Sequence, residues 1–156
     1  MILTREEKLL RKTKLKNFCE EVIEKRIAFT RAAMDNAQAA ANEEEKSSAG
    51  DKYETSRAMS HLEKDMHARQ LTANLQELSA VRSVQTNTLY HTPQTGACIQ
   101  CETITFFIAA GLGKQIVGTE PVIFLSPQSP LAKNIIHKQV GDYFIFNGEV
   151  MIVDIY

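Results

Sequence analysis

Several features that would narrow the class of this protein are scarce or missing in its 156 residues. There is no Trp, and the three Cys are an odd number that fits reduced thiols better than a disulfide framework. The first ten residues, MILTREEKLL, become polar at once and lack the apolar core of a signal peptide. No apolar run approaches the roughly 18 residues that a membrane span needs. These absences predict a cytoplasmic protein without a membrane partner.

Charge of one sign is also not in excess, because the formal net charge is only -1. The whole chain is therefore neither attracted to nucleic acid nor repelled by it. The distribution is uneven, however. An acidic run, Glu43 to Glu45, follows a basic stretch that holds Arg5, Lys8, Arg11, Lys12, Lys14 and Lys16.

Proline is absent from the first half, and between Thr4 and Leu78 the only glycine is Gly50. This half is rich in good helix formers. Apolar residues recur three, four and seven positions apart, which is the spacing of a narrow helical stripe. They are Leu15, Phe18, Val22, Phe29, Ala33 and Ala37, then Met59, Leu62, Met66, Leu71, Leu75 and Leu78. We expect an antiparallel helical hairpin, a coiled coil over residues 1–80, with a break at 46–50 and its tip near 46–54.

The second half has the residue composition of strands and turns. A polar connector over 81–94 precedes strand-like runs that begin at Thr103 and Val122. Ser129 followed by Pro130 is typical of a helix start. The pair Asn147-Gly148 lies between two further strand-like runs and predicts a hairpin. The fold class is therefore α+β, with strand, strand, short helix, strand and strand forming a second domain over 95–156.

Two motifs stand out within this layout. Gly50-Asp51-Lys52-Tyr53-Glu54 has the form Gly-Asp-x-x-Glu at the expected hairpin tip. The stretch Ser129-Pro130-Leu131-Ala132-Lys133 is followed by Gly141-Asp142 and Gly148-Glu149-Val150. In layout and in these two motifs, one at the tip and one in the C-terminal domain, the chain resembles the Gre family of bacterial transcript-cleavage factors. Where the family continues its tip with Asn, this chain has Thr55, Ser56 and Arg57.

The resemblance implies a coiled coil followed by an FKBP-like domain that docks on RNA polymerase. It implies an elongation factor that enters the polymerase's secondary channel and stimulates cleavage of backtracked RNA, without being an enzyme itself. Asp51 and Glu54 would act there on a Mg²⁺ ion shared with the polymerase. Partners would be the polymerase and the nascent RNA 3′ end, with DNA reached only indirectly. A basic patch facing RNA would comprise Arg11, Lys12, Lys14, Lys16, Lys25 and Arg26.

The residues themselves allow other interpretations of the two charged regions. Asp51 and Glu54 are three apart and share one helix face, and Mg²⁺ prefers such carboxylate oxygens. The same pair also fits a helix-capping arrangement favoured by the macrodipole. Glu43 to Glu45 fit either a solvated face or a source of negative potential at the tip. The basic residues fit either a phosphate-binding patch or a charged helix exterior.

The remaining chemistry-bearing residues give weaker signals. Cys98 and Cys101 form a single Cys-x-x-Cys pair, whereas a structural zinc site needs four ligands. Rings such as Phe106 and Tyr143 fit a core better than the pocket of a prolyl isomerase. Three functions stay open: a transcript-cleavage factor, a non-cleaving regulator that occupies the same channel, and a coiled-coil adaptor unrelated to transcription.

Overall fold

The structure is a computed structural model that describes residues 2–45 and 50–156, with side chains for all of these except 44, 45, 50–53 and 56. The predicted break at 46–50 therefore falls mostly outside the described residues. The α+β class is confirmed: two long helices precede a sheet that contains one short helix. The elements are α1 Arg5–Glu45, α2 Gly50–Arg82, β1 Cys98–Cys101, β2 Thr105–Ile108, β3 Gly113–Val117, β4 Glu120–Leu125, α3 Pro130–Ile135, β5 Tyr143–Ile145 and β6 Glu149–Ile155.

The described chain divides into two compact units. The first joins the start of the chain, through Glu21, to Ala80–Tyr156, and the second is Val22–Ser79. The first unit is thus built from both ends of the sequence. No helix in the described part of the chain is long and apolar enough to cross a membrane.

The first unit contains a mixed sheet with strand order β3-β4-β2-β1-β6-β5. β2 and β4 are parallel, and the other neighbours are antiparallel. Side chains alternate between the two faces of a strand, so Phe106 and Phe107 point to opposite sides. Phe106 belongs to the apolar core that also contains Ala132 and Ile135 of α3. The opposite face packs on the beginning of α1, where the ring of Phe18 stacks on Phe124 at 5.4 Å between centroids.

Two predicted boundary signals have the local geometry that they indicate, and a third motif appears at the start of α1. Ser129 accepts a hydrogen bond from the Ala132 amide and caps α3, with Pro130 in the first turn. Asn147 and Gly148 have φ angles of 50° and 121°, and they turn the chain between β5 and β6. Thr4 begins α1 with a further motif, a reciprocal capping box in which the Thr4 amide donates to Glu7 at 2.8 Å.

Two strands, β1 and β3, are missing from the sequence prediction. β1 is a four-residue strand containing two Cys and a Gln, and β3 begins Gly-Lys-Gln, which gives a weak strand signal. Both form because neighbouring strands supply the ladder: β1 lies between β2 and β6, and β3 pairs with β4 over five residue pairs. The second helix also continues to Arg82, so the connector is shorter than predicted.

The second unit, Val22–Ser79, is a helical hairpin, whereas the sequence prediction gave the hairpin residues 1–80. Its helices run side by side in opposite directions. Lys64 of α2 donates to Gln38 of α1 at 2.7 Å, whereas Phe29, earlier in α1, borders the same cavity as Ala73, later in α2. The buried seam of α1 consists of Ile23, Ile27, Thr30 and Ala37. These positions follow the alternating three- and four-residue spacing of a coiled coil.

The predicted seam is wrong at several positions. Phe29 in α1 and four residues of α2 are exposed: Met59, Leu62, Met66 and Leu75. The spacing of apolar residues in α2 allows two stripes, and the seam follows the one through Leu71 and Leu78. Polar residues such as Thr30, His67 and Asn74 are also buried or half-buried in the hairpin, so apolar residues alone were a poor guide to the seam.

Candidate functional site

The tip acids lie at the start of α2, which begins at Gly50. Asp51 and Glu54 are therefore both in the first turns of one helix, and residues three apart share a face. The carboxylate of Glu54 is exposed. The side chain of Asp51 lies outside the described residues, so the convergence of the two carboxylates remains a prediction.

The capping interpretation requires Asp51 to precede the helix. An N-cap residue has an extended backbone, and its side chain bonds to amides two or three positions further on. In the structure Gly50 is already helical, which puts Asp51 inside the first turn. Asp51 there still benefits from the helix dipole, but it does not occupy the N-cap position itself.

A second group of acids ends the other helix of the hairpin. Glu43, Glu44 and Glu45 form the last turn of α1, which contains no basic residue. The helix dipole is negative at this end, so an acid in the last turn costs about 0.3–1 kcal/mol at low ionic strength. Four residues, 46–49, link Glu45 to Gly50, so the ends of α1 and α2 lie within about 18 Å of each other. The end of α1 and the start of α2 thus hold five acids, and the helix dipole disfavours the three in α1.

The donor set at the tip suits a hard divalent cation. Carboxylate oxygens are the ligands that Mg²⁺ prefers, and it retains several waters when few protein ligands are present. By their chemistry, Asp51 and Glu54 fit such an ion as a partial donor set. Among the residues whose side chains are described, no group of three or more His, Cys, Asp or Glu could hold a metal ion.

Half of the predicted RNA-facing patch makes contacts inside the first unit. Lys12 is fully buried, and its ammonium donates to the Thr88 carbonyl at 2.6 Å and lies 4.4 Å from the centroid of the Tyr90 ring. Burial lowers the pKa of Lys12 below its usual value. Lys16 donates to the carbonyls of Arg82 and Val84 at 2.9 and 2.8 Å. These two lysines of α1 thus hold the end of α2 and the segment after it against α1.

Arg11 fastens α1 to the sheet. Its guanidinium donates to Glu120 at 2.7 Å, and to the hydroxyl groups of Thr105 and Tyr156 at 3.1 Å each. One turn earlier, Lys8 forms a salt bridge of 3.0 Å with Asp154. The guanidinium of Arg11 is thus used within the fold and is not presented to a phosphate.

Lys14, Lys25 and Arg26 are the exposed members of the predicted patch. Lys14 belongs to the first unit, and the other two belong to the second. The interpretation of these residues as a phosphate-binding surface therefore depends on three cations instead of six.

The Cys-x-x-Cys pair lies within β1, and its two thiols face opposite sides of the sheet. Cys101 belongs to the core beneath α3. Cys98 lies on the face that packs on α1, beside Lys12 and Tyr156. Burial raises the pKa of Cys98 to about 12 and that of Cys101 to about 11. These two protonated thiols cannot bind one ion together, nor can they form an ordinary dithiol redox pair.

The structural role of the basic residues could have been found from spacing. Lys8, Lys12 and Lys16 recur every four residues, and Lys12 precedes the buried positions Leu15 and Cys19 by three and seven. Residues at these spacings lie on one side of a helix. A lysine on a buried stripe must find acceptors for its ammonium, and here backbone carbonyls supply them.

Comparisons of the chain with protein-family models, with curated proteins and with solved structures found no match. The interpretation of the site therefore depends on the geometry above and on the motifs in the sequence.

Proposed function

We propose that this protein is a Gre-like transcription elongation factor, which binds RNA polymerase through the secondary channel and stimulates cleavage of backtracked RNA. The observation that carries the proposal is the set of acids at the hairpin turn. Glu43 to Glu45 are placed where the helix dipole disfavours them, so their presence is better explained by a task at the tip than by stability.

Asp51 and Glu54 would supply part of the oxygen donor set for a Mg²⁺ ion, and the polymerase would supply the rest. When bound, such an ion activates water and stabilises the leaving oxygen in phosphodiester hydrolysis. The protein has no active site of its own in this proposal and is not an enzyme by itself. Its acids raise the negative potential that attracts a cation to the tip.

The sheet of the first unit is assigned to docking on the polymerase, as an FKBP-like domain of a cytoplasmic bacterial factor. The resemblance of Ser129–Lys133 to the family pattern supports this assignment, and Ser129 does cap a short helix there. Of the cations expected to face RNA, Lys14, Lys25 and Arg26 keep their side chains exposed for phosphates.

The test uses a stalled, backtracked elongation complex with end-labelled RNA and Mg²⁺. The native protein should shorten the RNA, and the double variant Asp51→Asn/Glu54→Gln should be at least ~10²-fold slower, which corresponds to roughly 2.7 kcal/mol of transition-state stabilisation. The double variant Glu21→Gln/Glu24→Gln is a matched control, because it removes the same charge at the same spacing from the part of α1 remote from Glu45. It should keep the native rate.

One departure from the family pattern favours a second candidate. Glu54 is followed by Thr55, Ser56 and Arg57, and Arg57 brings a positive charge close to the acids. A non-cleaving channel regulator would bind the polymerase with the same parts but would not shorten the RNA. Binding to core polymerase without shortening would overturn the cleavage proposal in favour of this candidate, and failure to bind would overturn both.

A further inference from the structure

The sheet of the first unit has two edge strands, and they differ in length. β3 and β5 end the strand order, so each has a neighbouring strand on one side only. β5 has three residues, whereas β3 pairs with β4 over five consecutive residue pairs without a bulge. An edge strand presents backbone N–H and C=O groups that no neighbour in its own sheet takes up. β3 is therefore the longer template for a further strand.

The register between β3 and β4 fixes which backbone groups of β3 face outward. In an antiparallel ladder, pairs that exchange hydrogen bonds alternate with pairs that do not. Ile116 is opposite Pro121, which has no N–H and therefore belongs to a pair of the second kind. Lys114, two residues earlier, is in the same kind of pair. The N–H and C=O groups of Lys114 and Ile116 consequently point away from β4, at the open edge.

The start of α1 borders this edge on one side of the sheet. α1 lies over β4, because the ring of Phe18 stacks on Phe124. A cavity of about 470 Å³ lies between the flank of α1 and the end of β3. Its surface is mostly apolar, and Leu10, Phe18 and Val117 contribute to it. Leu10 is 71% exposed, so the cavity opens to solvent beside the edge strand.

The two sides of β3 call for different side chains in an added antiparallel strand. Side chains alternate along a strand, so those of Lys114 and Ile116 lie on the side away from Val117 and the cavity. A residue opposite Ile116, which is 58% exposed, gains from being apolar, and a residue opposite the exposed Lys114 gains from being acidic. The residue between these two faces the cavity and should be apolar. Along the added chain the pattern reads apolar, apolar, acidic.

The charge of Lys114 disfavours a second copy of this chain as the added strand. Directly opposite residues of antiparallel strands share a face, and the outward backbone groups of each copy are those of residues 114 and 116. Pairing β3 with the β3 of a second copy would therefore place two Lys114 side chains on one face of neighbouring strands, where like charges repel. An acidic residue at that position is attracted instead. Charge complementarity thus favours a partner of different sequence.

We propose that the open edge of β3 binds an extended segment of another protein, which adds an antiparallel strand to the sheet. The backbone of that segment exchanges hydrogen bonds with Lys114 and Ile116, and its middle side chain enters the cavity beside α1. Main-chain bonds of this kind give affinity, and the alternate side chains give specificity. The edge is separate from Ser129–Lys133, which supports the assignment to polymerase docking, so this inference does not depend on the function proposed above.

The probe is a set of fluorescein-labelled heptapeptides, Ser-Thr-Φ-Φ-Glu-Thr-Ser, in which each Φ is Val, Ile or Phe. Binding to the full-length chain is measured by fluorescence anisotropy, and at least one member should bind saturably. N-methylation of its Glu removes an N–H aimed at β3 and should weaken binding about tenfold or more. N-methylation of the second Φ is the matched control, because that N–H points away from β3, and it should change the affinity less than about threefold.

Substitutions at the edge test the same contacts from the protein side. Ile116→Pro removes an outward N–H without removing a bond to β4, and it should weaken binding about tenfold or more. Ile116→Val keeps that N–H and is the matched control, with affinity within about threefold of the native value. Lys114→Glu should reverse the charge preference, so that peptides with Lys in place of Glu bind more tightly than the original set.

Each result bears on the proposal once circular dichroism has verified that the variants are folded. If Ile116→Pro does not fold, the N-methylated peptides still decide the question on the native chain. A set of peptides that does not bind up to about 1 mM would overturn the proposal. Binding that tolerates N-methylation of the Glu would place the peptide on another surface. Self-association of the native chain that Ile116→Pro abolishes, measured by sedimentation equilibrium, would assign the edge to a second copy instead.

Discussion

Alkaline pH should destabilise the protein through its buried thiols. Cys98 ionises with an ordinary pKa of 9.0 once unfolded, but burial raises its pKa in the folded state to about 12. The stabilisation from this group is complete below pH 9 and is lost as the pH rises towards 12, because only the unfolded state releases its proton. At about pH 10.5 the loss for Cys98 amounts to about 2 kcal/mol.

Three neighbouring groups modify the total. Burial raises the pKa of Cys101 to about 11, which adds a loss of similar size, and burial also raises the pKa of Tyr156. The lowered pKa of Lys12 acts in the opposite sense, since its folded form releases a proton before its unfolded form does. A single substitution at Cys98 separates its share from theirs.

The measurement is equilibrium urea unfolding, followed by far-ultraviolet circular dichroism with a reductant present, at about pH 8 and about pH 10.5. The native protein should lose several kcal/mol between these conditions, and Cys98→Ala should lose about 2 kcal/mol less than the native protein does. Equal losses in the two proteins would refute the reasoning, because they would show that Cys98 does not carry the pH dependence.

Two further predictions concern stability at neutral pH and use the same unfolding assay. Lys12→Ala should cost about 2–4 kcal/mol, because it opens a cavity and leaves the Thr88 carbonyl without its donor; a cost under 1 kcal/mol would contradict the buried contact. Ile27→Ala should cost about 2–5 kcal/mol, whereas Phe29→Ala in dilute solution should change stability by less than about 0.5 kcal/mol although it deletes a larger side chain. The reverse order would place Phe29 in the seam.

The architecture could be predicted from the sequence where the local signals were strong. The absence of Pro over two long segments gave the helices, and Ser129-Pro130 and Asn147-Gly148 gave the start of α3 and the last hairpin. β1 and β3 could not be predicted in the same way, since their residues have little intrinsic strand preference and pair because their neighbours do.

The candidate site was predictable in part. The placement of Asp51 and Glu54 at the start of a helix follows from Gly50 and from the long apolar pattern behind them. The spacing of Lys12 and Lys16 places them on the buried side of α1, but the acceptors of Arg11, Lys12 and Lys16 could not be predicted, because they lie 66 to 145 positions away in the chain. The charge of a residue alone does not distinguish a cation that faces solvent from one that bonds two parts of the fold together.

The division of α1 between two units has a consequence for synthesis on the ribosome. The hairpin unit, Val22–Ser79, is contiguous and can form as soon as its last residue has emerged. The first turns of the same helix must wait, because the partners of Arg11 include Tyr156, made 145 residues later. Lys12 likewise lacks its acceptor until Thr88 has been made. Translation pauses late in the sequence should therefore delay the folding of the N-terminal residues more than the folding of the hairpin.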